Sequence, residues 1–111
     1  MTTFDEREKA FEKKFAHDEE LRFKASVRRN KLFGLWAAEK LGLSGAEAEE
    51  YAKAVIKSDF AEPGDEDVLR KVRADFAAKN VDVSEHQLQR SLTEKMAEAV
   101  QQLEAERGKA S

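Results

Sequence analysis

Apolar residues in this chain recur at three- and four-residue steps over most of its length, the period of amphipathic helices. A first long helix is predicted from Asp18 to Leu41. Asp18, Glu19 and Glu20 stand in its opening turn, where carboxylates favour the positive end of the helix dipole, and Gly42 ends it. Ala25, Arg28, Leu32, Leu35, Trp36 and Glu39 fall three or four apart, which places Leu32, Leu35 and Trp36 on the buried stripe, widened by Phe33, Ala37 and Leu41. Gly34 inside this helix costs about 1 kcal/mol relative to alanine, and a close helix crossing is the expected compensation.

Ser44-Gly45-Ala46-Glu47 reads as a capping box opening a second helix over about 44–60. Ala48, Tyr51, Ala52, Val55, Ile56 and Phe60 follow the helical period, and Pro63-Gly64 closes the element. Asp65 is placed to cap a third helix with Val68, Leu69, Val72, Phe76 and Ala77 facing inward as far as Asn80. Ser84 opens the fourth. Gln87 completes its capping box, Val83 can staple onto Leu88, and Leu88, Leu92, Met96, Ala99 and Leu103 carry the stripe to a frayed, charged tail. Four such helices on short connections bury their stripes only against one another, so the fold class is all-α, a four-helix bundle. Val81-Asp82-Val83 is too short and isolated to act as a strand.

Composition narrows the function. One domain is all that 111 residues accommodate, and 41% hydrophobic with 39% charged residues suits a packed interior under an ionic surface. The chain has no cysteine, which excludes disulfides and thiolate metal sites. Twenty basic against 23 acidic residues leave a net charge of -3, which argues against general affinity for nucleic acid. The charged N-terminus is unlike a signal peptide, and no window approaches the roughly 18 apolar residues of a membrane span, so a cytoplasmic location without direct membrane insertion is expected.

Residues 1–17 differ from the rest. They hold Phe4, Phe11 and Phe15 among eight charges of balanced sign. On a helix the three rings share one face, with Arg7, Glu8 and Ala10 alongside. Asp5 and Lys9 support that helix at i,i+4, whereas Glu8 with Glu12 and Lys9 with Lys13 are like-charge pairs at the same spacing. A peptide of this length is marginally helical alone, so a mobile, helix-prone segment (1–17) ahead of the bundle domain (18–111) is expected. Two readings stay open: the rings pack on the bundle as an extension of the first helix, or the segment orders in another protein's groove through i, i+4, i+7 anchors.

The wording of the chain then adds a resemblance. Phe4-Asp5-Glu6-Arg7-Glu8-Lys9-Ala10-Phe11-Glu12, Phe15-Ala16, Asp18-Glu19-Glu20-Leu21-Arg22-Phe23, Arg28-Arg29-Asn30-Lys31-Leu32, Leu35-Trp36-Ala37-Ala38-Glu39-Lys40-Leu41-Gly42 and Ala48-Glu49-Glu50-Tyr51-Ala52 together resemble the alphaproteobacterial ATP synthase zeta subunit family. The resemblance implies a non-catalytic helical bundle that binds the catalytic head of the F-type ATP synthase, its alpha, beta and gamma subunits, and blocks ATP hydrolysis. It implies a free monomer held at the cytoplasmic face of the inner membrane through its partner. Carried over, the partner-binding residues are Phe4, Asp5, Arg7, Glu8, Lys9, Phe11, Lys14 and Phe15.

Other candidates are weaker. His17 and His86 have no partner at ligand spacing, so neither metal nor cofactor is expected, although protonation of His17 could alter docking of the segment. Arg28, Arg29 and Lys31, with Arg22 and Lys24 nearby, offer phosphate or nucleotide binding against the simpler reading of a solvated helix face. Glu49-Glu50 and Asp65-Glu66-Asp67 fit wet surface and dipole-favoured first turns better than acid/base chemistry. A helical adaptor with a different protein target is the main alternative function.

Overall fold

The computed structural model describes residues 19–59 and 65–110. Four helices follow in order: α1 Glu19–Lys40, α2 Gly45–Ser58, α3 Glu66–Ala78 and α4 Glu85–Ala110. No strand occurs among the described residues, and residues 81–84 are irregular. The fold is the expected all-α bundle, with α1 packed most extensively on α2 and α4.

Two helix ends are built alike. After α1, the Leu43 amide donates to the Ala38 carbonyl (2.9 Å) and Gly42 to Glu39 (3.1 Å), with Gly42 at φ +81°. After α3, Val81 donates to Phe76 (2.9 Å) and Asn80 to Ala77 (3.3 Å), with Asn80 at φ +57°. Both are Schellman stops, and glycine and asparagine are the residues that tolerate the left-handed position. Pro63 and Gly64, expected to close α2, and Phe60 lie outside the described residues.

The caps divide. At α4 the box forms as expected: Gln87 N–H donates to Ser84 Oγ (3.1 Å), and Ser84 N–H to Gln87 Oε1 (2.9 Å). Ser44 is the N-cap of α2 by conformation, but its side chain makes no capping hydrogen bond. Gly45 enters that helix at φ +57°, a left-handed entry that a non-glycine residue would resist. Asp65 likewise caps α3 without a side-chain bond; its carboxylate is drawn to Arg29 instead. The tail expected to fray is helical to Ala110, a stretch rich in Ala, Glu, Lys and Arg, which are good helix formers.

The core centres on Phe33, Ala37, Val55, Val68, Leu69, Val72, Phe76, Leu88 and Leu92. The expected inward faces of α3 and α4 are largely borne out, except that Ala77 is exposed and Met96 and Leu103 are half-buried. On α1 the stripe is rotated by about one residue. Ala25, Arg29, Phe33, Gly34, Ala37 and Ala38 are buried, while Leu32, Leu35 and Trp36 are half-buried. The reason lies at Gly34: a Cβ there would come 2.8 Å from Ala52 Cα and 3.2 Å from its Cβ, so α1 and α2 cross too closely for larger side chains. Trp36 covers the edge of this seam, its ring stacked on Phe33 with centroids 5.5 Å apart.

Candidate functional site

The expected partner-binding residues Phe4, Asp5, Arg7, Glu8, Lys9, Phe11, Lys14 and Phe15 lie outside the described residues, as does His17. The structure does divide the basic cluster of α1. Arg29 is 5% exposed. Its Nη1 donates to Asp65 Oδ1 (2.8 Å), its Nε to Asn30 Oδ1 (3.0 Å), and Asn30 in turn donates to Asp59 (2.9 Å). Asp59 ends α2 and Asp65 begins α3, so Arg29 and Asn30 fix both ends of the connection between them. The solvated-face reading of Arg29 is therefore corrected, because a buried guanidinium needs paired carboxylates. Arg28 turns the other way and reaches α4, donating to Gln102 (2.8 Å) and Glu106 (3.0 Å). Lys31 is exposed and makes no ion pair with the described residues.

Asp67 is a second correction. Expected in a dipole-favoured first turn on wet surface, it does stand in the first turn of α3 but is buried there, with Oδ1 accepting from Arg70 (3.2 Å) and Oδ2 without a hydrogen-bond partner among the described residues. The positive end of α3 stabilises it there. Tyr51 and Asp75 bridge α2 and α3 through a 2.8 Å hydrogen bond, with Lys71 beside both. Burial, then the Asp75 hydrogen bond and charge, push the Tyr51 hydroxyl well above the ordinary phenol range, so it remains a donor. On the surface, Arg73 grips Glu85 with two nitrogens, and that bond holds the Glu85 carboxyl below the usual carboxylate range. The contacts of Tyr51 with Asp75 and of Arg73 with Glu85 tie one helix to another. His86 is exposed in the first turn of α4, and no group of three metal-ligating side chains occurs among the described residues.

The feature suited to recognition lies at the open end of the bundle, where α1 begins and α4 finishes. A groove of about 510 Å³ there is floored by Leu21, Phe23, Val27 and Leu103. Lys24, Arg28 and Lys31 form one rim and Glu106 stands on the other. Phe23 is 58% exposed, the large hydrophobic residue most open to solvent among those described. Leu21, Phe23 and Val27 lie off the stripe expected of α1, and apolar residues off the main stripe of a helix are the signal of a second apolar face.

Bundle and groove define a class: a small helical binding module whose polar side chains hold its own helices together. The comparisons with known proteins make that specific. The family model for ATPase inhibitor subunit zeta matches residues 1–102, and the chain belongs to that family, with the role of an ATPase inhibitor. A protein whose structure was solved by solution NMR is 49% identical, covering 78% of this chain and 98% of its own, with a TM-score of 0.70. No curated protein matches. Among the described residues, no helix is long and apolar enough to cross a membrane.

Proposed function

We propose that this protein inhibits ATP hydrolysis by the F-type ATP synthase by docking residues 1–17 as a helix at a catalytic interface of the head, against its alpha, beta and gamma subunits. The observation that carries this reading is the reach of the family match, which begins at residue 1 and so includes the segment with the three rings. An ordering cost of about 2–5 kcal/mol on docking is offset by three aromatic side chains at about 1.5–3 kcal/mol each. A rotary ATPase cycles its interfaces through open and closed shapes. A helix that binds one shape stabilises that state and halts the cycle, with no chemistry required of the inhibitor. The bundle anchors the segment and raises its local concentration at the head.

Hydrolysis by the isolated head tests this. Phe11→Ala is expected to weaken inhibition about ten- to a hundredfold, the equivalent of one lost ring, with helical circular dichroism unchanged. Undiminished inhibition after deletion of residues 1–15 would move the working surface to the bundle.

A further inference from the structure

Three of the four helices share the extensive pairings of this bundle. Helix α1 packs broadly on α2 and on α4, whereas α3 meets each of the others over a much smaller contact. We propose that α3 is a hinged cover: it detaches as one unit from a frame of α1, α2 and α4 that stays packed without it, so that the molecule opens at α3 far more readily than it unfolds.

The frame is closed by contacts that do not involve α3. At the α1/α2 seam a Cβ on Gly34 would come 2.8 Å from Ala52 Cα, and Arg28 joins α1 to α4 through Gln102 (2.8 Å) and Glu106 (3.0 Å). The cover is held differently. It gives the core one stripe, Val68, Leu69, Val72 and Phe76, and side-chain tips tie it to each frame helix. Asp65, at its N-cap, accepts from Arg29 of α1 (2.8 Å). Asp75 accepts from Tyr51 of α2 (2.8 Å), and Arg73 donates through Nε to Glu85 of α4 (2.8 Å). Such bonds exchange for bonds to water at modest net cost.

Two further features favour opening. Asp67 is buried with α3, and its Oδ2 has no hydrogen-bond partner among the described residues; a desolvated acceptor regains water when the helix lifts. Arg29 is not orphaned by the departure of Asp65, because its Nε still donates to Asn30 (3.0 Å) and Asp59 stays within 3.9 Å. Asn80 in the left-handed conformation and the irregular residues 81–84 end α3, a short joint on which it can turn. Lifting takes Phe76 off Trp36, their ring centroids 5.9 Å apart, and opens the cluster that α3 shares with Phe33, Val55 and Leu88. The face so uncovered is apolar and drawn from three helices, a surface that the closed molecule hides.

Native-state hydrogen exchange of the full-length protein, followed amide by amide in low urea, tests this. The slowest amides of α3 are expected to exchange about tenfold faster or more than the slowest of α1, through an opening with one shared urea slope, smaller than that of global unfolding. Two substitutions separate a local opening from a global one. Tyr51→Phe removes a bond that is lost in either event, so it should speed exchange about three- to tenfold in α3 and α1 alike. Ala99 is fully buried on α4, in a part of the frame that the closed and opened forms both keep. Ala99→Gly should therefore speed the slowest α1 amides about fivefold and leave those of α3 unchanged. Amides of α3 that match α1 in rate and urea slope, or that follow α1 in the Ala99→Gly protein, overturn the proposal. So does a Tyr51→Phe protein whose α3 amides exchange no faster.

Discussion

Helix α1 serves two ends of the molecule in opposite ways. Around Gly34 it meets α2 through small residues, Ala37, Ala38 and Ala52, with Phe33 fully enclosed and no room for one more carbon. Around Phe23 it meets α4 with larger apolar residues, Leu21, Val27 and Leu103, and leaves a groove between them. Small side chains let backbones approach until the seam is dry, while large ones facing one another across a wider gap leave space for a further element. A closed seam and an open groove thus occupy different stretches of one helix, and a change in one need not disturb the other.

Phe33→Ala should have the largest effect, a loss of about 3–5 kcal/mol read from the urea midpoint. A loss below about 1 kcal/mol would mean that the seam collapses around the gap and is less rigid than its packing. Gly34→Ala sharpens the contrast, since the same change is favourable by about 1 kcal/mol in an unpacked helix. Here the new carbon meets the backbone of Ala52 at 2.8 Å, and overpacking of about 1–3 kcal/mol should reverse the sign or cancel the gain. A stabilised Gly34→Ala protein would show that α1 and α2 separate without penalty. Phe23→Ser is expected to shift thermal unfolding least, by no more than about 0.5 kcal/mol. A loss of several kcal/mol would make the open end part of the core and erase the comparison.

Much of this architecture was legible along the chain. Gly42 and Asn80 stop helices where expected, because a left-handed residue is a local requirement. The Ser84 and Gln87 box forms for the same reason, since both partners lie within one turn. The face of α3 from Val68 to Phe76 is buried as its period predicts. Ser44 was misleading because one backbone angle, at Gly45, decides whether its hydroxyl finds an amide. Arg29 was misleading because the acids that pair with it lie 30 and 36 residues away in sequence. The expected ring-bearing site falls in residues 1–17, outside the described residues, and the groove between α1 and α4 was not foreseen.

Among the described residues, the sequence alone determined how many helices form and where most of them start and stop, since capping, dipoles and the apolar period act within a few residues. Which side of α1 is buried was decided only in the tertiary structure. Periodicity counts large side chains, and it pointed to Leu32, Leu35 and Trp36. Packing instead selected the face with Gly34, where α2 can come closest, because dispersion and the exclusion of water depend on how near two surfaces lie and not on the size of the residues that line them.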